Sequence, residues 1–187
     1  LTRLLAWMPG DPALACAAQQ PRLREIALLG ASLSDAGLAK LKGLPITDLT
    51  IGGKKLTDAS AATLSSLPTL ERLTVEATSL TDAGFAQLAL PSLTFLRVAT
   101  KGVGVAGFAA SIAQSPTLAS LEWDTGVALG AGVGAALEAA GPRLERVALN
   151  TRPKCLDDAA FAEVCAYVDG KGRVRVRLGG LSTKQQK

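Results

Sequence analysis

The feature that most constrains this chain is a hydrophobic pattern, Leu-x-x-Leu-x-Leu, that returns at nearly constant spacing. It occurs as Leu23/Ile26/Leu28, Ile46/Leu49/Ile51, Leu70/Leu73/Val75, Leu93/Leu96/Val98, Leu118/Leu121/Trp123 and Leu144/Val147/Leu149. The first positions lie 23, 24, 23, 25 and 26 residues apart. A seventh copy, Val176/Leu178, follows a longer gap, and an imperfect earlier copy starts at Leu1/Leu4. A unit of this size cannot bury its apolar face alone, but stacked neighbours bury a continuous core.

The second half of each unit repeats as well. Ser34-Asp35-Ala36-Gly37-Leu38 returns as Thr57-Asp58-Ala59-Ser60-Ala61 and Thr81-Asp82-Ala83-Gly84-Phe85, with weaker copies at 104–108 and 157–161. Each follows an apolar anchor: Leu33, Leu56, Leu80, Val103 or Leu156. A hydroxyl residue followed by Asp predicts a helix start, because the hydroxyl caps a free N–H and the Asp sits at the positive end of the helix dipole. Leu38, Leu41 and Leu44 then fall at helical spacing, as do Leu64 and Leu67. Pro21, Pro45, Pro68, Pro91, Pro116 and Pro142 each stand one or two residues before the first Leu of a copy. Proline ends a helix and favours extended chain before itself, so it marks the helix-to-strand turn. Each unit is therefore expected to be a short strand, a turn and a short helix. Seven parallel strands about 4.8 Å apart would make a face roughly 30 Å long.

These motifs resemble the leucine-rich-repeat family, in its short bacterial form L-x-x-L-x-L-x-x-T-x-[LI]-T-D-x-G-L-x-x-L-x-x-L-P, similar to the ribonuclease-inhibitor-like and cysteine-containing classes. Leu70, Leu73, Val75, Thr78, Leu80, Thr81, Asp82, Gly84, Phe85, Leu88 and Pro91 carry the best match. The resemblance covers roughly residues 21–150. It implies an α/β fold: a right-handed leucine-rich-repeat solenoid, arced like a horseshoe, with a parallel concave sheet and short convex helices. It also implies protein–protein recognition. The ninth repeat position holds Ala31, Lys54, Thr78, Lys101, Gly126 and Arg152, which departs from the family's Asn. We read residues 1–187 as one domain, with 1–20 a partial or capping unit, 21–150 regular repeats, 151–180 a divergent last unit and 181–187 a tail.

Composition fits this reading and excludes others. Hydrophobic residues make up 48% of the chain but aromatics only 4%, so Leu, Val, Ile and Ala must fill the core. Histidine is absent, and the three cysteines, Cys16, Cys155 and Cys165, show no CxxC spacing, so a zinc site is not expected. The cysteine usage suits a reducing, cytoplasmic compartment. No run approaches a membrane span. The chain shows no signal peptide and does not begin with Met, which suggests a processed or excised piece of something longer. From Gly141 onward there are ten basic side chains against five acidic; the first 140 residues hold ten against eleven.

Three motifs invite chemistry. Gly102-Val103-Gly104-Val105-Ala106-Gly107 is a literal GxGxxG with Glu122 and Asp124 downstream, as in a dinucleotide site. Yet the repeat runs through it in phase, which makes Gly107 a repeat glycine equivalent to Gly37 and Gly84, chosen for close helix–strand packing. Gly126, Gly130, Gly132 and Gly134 share a unit with Trp123, whose ring would need smaller neighbours or a looser turn; no Lys-Ser/Thr follows to make a phosphate loop. Cys155 and Cys165 flank a helix and read as buried small residues rather than a redox pair. Without histidine there is no Ser-His-Asp or Cys-His pair, and Asp35, Asp58 and Asp82 read as helix caps. The chain is expected to be neither an enzyme nor a cofactor or metal binder.

Strand alternation singles out the outward positions as functional candidates. These are Glu25/Ala27, Asp48/Thr50, Arg72/Thr74/Glu76, Phe95/Arg97, Ser120/Glu122/Asp124, Arg146/Ala148/Asn150 and Arg175/Arg177. Asp48, Arg72, Thr74, Glu76, Phe95, Arg97, Glu122, Asp124, Arg146, Arg175 and Arg177 are taken as the partner-binding set, centred on Phe95, Arg97 and Arg72 because aromatics and Arg dominate interfaces. The alternating run Arg173-Val174-Arg175-Val176-Arg177-Leu178 is either an anion or acidic-partner patch or a charged end strand that resists edge pairing; the structural reading is the stronger. Nucleic-acid binding is weaker, because no aromatic alternates with those arginines. The expected function is a protein or peptide binding module acting through its strand face. The alternative is a structural or substrate-recruiting segment of a larger bacterial protein, packing on neighbouring domains or identical copies.

Overall fold

The computed structural model describes residues 1–7, 10–30, 32–124, 129–150, 157–171 and 175–179. Ala31, Gly126, Arg152, Cys155, Leu156 and Arg173 lie outside the described residues. Eight strands, β1 Arg3–Trp7, β2 Glu25–Leu29, β3 Asp48–Gly52, β4 Arg72–Glu76, β5 Phe95–Ala99, β6 Ser120–Trp123, β7 Arg146–Asn150 and β8 Arg175–Gly179, form one sheet in strictly sequential order. Every neighbouring pair is parallel. The helices are α1 Asp11–Ala17, α2 Asp35–Leu38, α3 Ser60–Ser65, α4 Asp82–Phe85, α5 Val105–Ala113, α6 Val133–Ala140 and α7 Asp158–Lys171, one between each pair of strands. The repeating strand-and-helix unit of the sequence is thus present as a solenoid-like stack. The imperfect first copy is a full strand, which makes eight strands where seven regular copies were counted.

Each repeat motif straddles its strand. The first apolar residue, such as Leu23 or Leu70, lies ahead of the strand, and the second and third point inward from it. The register stacks them: Leu49 lies beside Leu73 and Ile51 beside Val75. These residues, their equivalents around β2 to β7 and helix residues such as Leu64, Phe85 and Phe108 belong to one buried cluster. Full burial of a Leu or Ile side chain contributes about 1.5–3 kcal/mol. The stack therefore gains most of its stability between units, not within them.

The six prolines stand where a helix-to-strand turn was expected, in the short segments preceding β2 to β7. The helix starts differ from expectation in two respects. First, α3 begins at Ser60, not after Thr57; Thr57 and Asp58 form a preceding turn in which the Ser60 N–H donates to the Thr57 carbonyl at 2.9 Å. Second, the aspartates do more than complement their own helix dipoles, because they bond across units. Asp11 accepts the N–H and hydroxyl of Ser34 at 2.9 and 2.6 Å. Asp35 accepts those of Thr57 at 2.9 and 2.6 Å. Asp58 accepts those of Thr81, both at 2.7 Å.

The repeat glycines follow from this ladder. A Cβ on Gly37 would collide with the Asp11 carboxylate, and one on Gly84 with that of Asp58. The close approach they permit is therefore helix to carboxylate, rather than the helix-to-strand packing expected. Gly107 meets both demands, since its Cβ would strike Val103 and Asp82.

Trp123 is fully buried, as its inward position requires. Its neighbours are not small. Phe85 and Phe108 meet its ring edge-on, at centroid distances of 5.7 and 5.2 Å. Three consecutive units thus each contribute one ring to a single aromatic cluster, and edge-to-face contacts of this kind add about 0.5–1.5 kcal/mol beyond burial.

Candidate functional site

The inward residues of the sheet are consumed by the core, so the opposite face presents the outward positions. The parallel register arranges them in rows across the strands. One row runs Arg3, Glu25, Asp48, Arg72, Phe95, Ser120, Arg146 and Arg175. The next runs Leu5, Ala27, Thr50, Thr74, Arg97, Glu122, Ala148 and Arg177. Such row neighbours are about 4.8 Å apart, close enough for side chains to interact directly.

Most of the expected site is brought together in two clusters. Arg72 Nε lies 3.2 Å from Asp48 Oδ2, and the Arg72 guanidinium also sits over the Phe95 ring, 4.4 Å from its centroid. One arginine therefore links three strands, and the Phe95 face is partly covered by a cation. Arg97 reaches Glu76 on one side and Glu122 on the other, both at 3.8 Å. These are exposed pairs, each worth about 0–1 kcal/mol, so they order the face without holding the fold together. Thr74 is half-buried between the clusters.

The remaining members stand apart. Asp124 is exposed one residue beyond β6, not on it; its N–H donates to the Val98 carbonyl at 2.7 Å. Arg146 is exposed on β7, outside both clusters. Arg175 and Arg177 occupy the register positions beside Arg146 and Ala148. The sequence reading missed Arg3, which pairs with Glu25 at 3.0 Å. The outward alternation of opposite charges at Arg3 and Glu25 was a usable signal, hidden by the irregular first unit.

The glycine motifs resolve into internal contacts. The N–H groups of Gly104 and Gly107, the two glycines of the GxGxxG at the start of α5, both donate to Asp82 Oδ1, at 2.8 and 2.9 Å. An anion's position at that helix start is thus taken by the chain's own carboxylate. At α6 the Glu163 carboxylate of the following unit accepts the N–H groups of Gly132 at 2.9 Å and Gly134 at 2.8 Å. Gly132 has φ +101°, and a Cβ on Gly134 would strike Glu163. Gly132 and Gly134 are thus a seat for Glu163.

Cys165 lies half-buried within α7 rather than flanking it, and Cys16 is exposed on α1; both are free thiols. At the ninth repeat position Lys54 and Lys101 are exposed and Thr78 is buried. The bond there runs from the Thr100 hydroxyl to the Thr78 carbonyl at 2.8 Å, in place of an Asn ladder. No helix among the described residues is long and apolar enough to cross a membrane.

No protein-family model and no curated protein matches this chain.

Proposed function

We propose that the chain is a leucine-rich-repeat solenoid that binds a protein or peptide partner on its open strand face and performs no catalysis itself. The observation that carries this reading is the Asp48–Arg72–Phe95 arrangement. An aromatic ring and an arginine stand on the open face of a rigid sheet, the residue types that anchor interfaces. Cross-strand contacts hold Arg72 in place, so binding costs less side-chain entropy. Arg97, held between Glu76 and Glu122, adds a second fixed polar anchor beside it. The test is affinity capture with this chain, compared with an Arg72→Glu/Arg97→Glu variant. Partners should be captured by the parent and lost by the variant, with the melting temperature lowered by no more than a few degrees. Equal capture by both would refute a binding role for this face.

A second reading has its own observation. Leu1 and Leu5, exposed by 64% and 57%, are the large hydrophobics most open to solvent among the described residues, and both belong to the β1 end of the sheet. Exposed large apolar side chains of this kind favour packing on a neighbouring domain or an identical copy. Light scattering over a concentration series, with Leu5→Glu as control, separates the two readings. A mass that stays monomeric throughout would count against self-assembly.

A further inference from the structure

The staples that join successive units change direction at α6. From α1 to α5 they run forward: Asp11, Asp35, Asp58 and Asp82 each bond the residue that opens the next helical segment. The residue at the following Asp position is Val105. Its Cγ1 lies 3.6 Å from where a Cβ on Gly132 would sit, so it reaches the start of α6 but brings no carboxylate. The N–H groups of Gly132 and Gly134 are taken from the other side, by Glu163 of α7, at 2.9 and 2.8 Å. Among the described residues, α6 is thus stapled by a carboxylate to α7 and not to α5.

The strand side weakens at the same place. β6 has four residues and aligns four with each neighbour, where every other neighbouring pair aligns five. Ser120 Oγ, Trp123 Nε1 and Arg143 Nε are buried without a hydrogen-bond partner, and all three lie in the unit running from Leu118 to Arg143. Thr78 Oγ1 and Tyr167 Oη, the other such atoms among the described residues, belong to two other units. Each unpartnered buried group subtracts from the stability of the element that carries it. Beyond the shared aliphatic core, Trp123 clasps this unit to its predecessors, through the edge-on contacts with Phe85 and Phe108. One side-chain bond assists it on the helix side, from Arg143 Nη2 to the Ile112 carbonyl at 2.7 Å. The exposed Arg97–Glu122 pair assists it on the open face.

We propose that the solenoid consists of two cooperative blocks, and that the C-terminal block, β6 to β8 with α6 and α7, opens as a unit at the seam between β5 and β6. In a stack where each unit touches only its neighbours, stability is a sum of unit and interface contributions, so opening starts at the weakest interface. The Glu163 staple places that interface on the β5 side of β6 rather than the β7 side. Trp123 sets how often the seam opens, because its ring must leave Phe85 and Phe108 for the strands to part. Opening also separates Arg97 from Glu122, so the second anchor of the open face is complete only while the seam is shut. The seam itself stands whether or not that face binds a partner.

Amide hydrogen exchange of the full chain, followed by mass spectrometry over a series of sub-denaturing urea concentrations, tests this. Peptides from β6, α6, β7 and α7 should share one urea dependence and one protection factor. That protection should lie at least about tenfold below the value for β3 to β5, equivalent to about 1.4 kcal/mol. Trp123→Phe should lower the protection of the C-terminal block by about tenfold more and leave β2 to β4 within about twofold. If Trp123→Phe does not fold, Arg143→Ala replaces it and should lower the protection of the same block alone, by a few fold. Equal protection from β2 to β7 would overturn the proposal. So would a smooth decline towards β8 with no step at β6, which is the pattern of a fraying end. A step at another strand boundary, or a Trp123→Phe loss spread evenly over both blocks, would also overturn it.

Discussion

The Asp58 carboxylate accepts both the backbone N–H and the hydroxyl of Thr81 in the next unit, each at 2.7 Å. The same bidentate bond joins Asp11 to Ser34 and Asp35 to Thr57. Where the hydroxyl is replaced by Gly104, Asp82 turns instead to the Gly104 and Gly107 N–H groups. From α1 to α5 each unit thus caps its successor, and that part of the stack is stapled along its helix side as well as through its core.

Removing a staple should weaken the interface between two units. Asp58→Ala is expected to lower stability by about 1–2 kcal/mol, allowing for its partial exposure. Thr81→Ala should do nearly the same, and the double variant should cost far less than the two together. A urea-denaturation cycle checks this; additive effects would show that the bond is worth little. Gly84→Ala should cost about 1–3 kcal/mol, because its Cβ would displace the same carboxylate and crowd Leu80.

The Asp11 staple makes one contribution depend on pH. The Ser34 hydroxyl holds the Asp11 carboxyl below the usual carboxylate range; partial desolvation opposes it, and the Ser34 N–H, Lys40 and Lys55 assist. A depressed folded pKa gives stability that is present above the unfolded value, near pH 4, and lost as pH falls through the folded value. The difference in unfolding midpoint between the parent and Ser34→Ala should therefore be constant near neutrality and shrink below about pH 4. A difference that persists to pH 2 would mean the hydroxyl acts only as a neutral cap.

Ala77 adopts φ +50°, a left-handed conformation at the turn after β4, where its N–H donates to the Ala99 carbonyl at 2.8 Å. The equivalent residues of the two preceding units are Gly30 and Gly53. A left-handed non-glycine residue costs about 1–2 kcal/mol, and this outweighs the added chain entropy of glycine, so Ala77→Gly should raise stability by up to about 1 kcal/mol. Chemical denaturation decides it; a loss of stability would contradict the strain argument.

Trp123→Ala should be among the most damaging single changes, at about 3–5 kcal/mol, because it removes the centre of the Phe85–Trp123–Phe108 cluster. Phe95→Ala, on the open face, should change stability by less than about 1 kcal/mol while weakening partner capture. Equilibrium unfolding of both variants separates the buried ring from the surface ring.

By itself, the sequence determined the unit. The spacing of Leu70, Leu73 and Val75, the Thr81-Asp82 start and the Pro91 stop are local patterns. Local patterns are what periodicity, capping and proline chemistry can reveal. The outward parity that named Arg72, Phe95 and Arg97 came from the same source. Only the tertiary structure decided which units' side chains meet. That Asp58 serves Thr81 and not its own helix, that Gly132 and Gly134 seat Glu163, and that Arg3 faces Glu25 are all contacts between neighbouring units. Each depends on the register of the parallel sheet, and that register is set by packing many inward residues at once. No single repeat contains that information, because the stack, rather than the unit, buries the core.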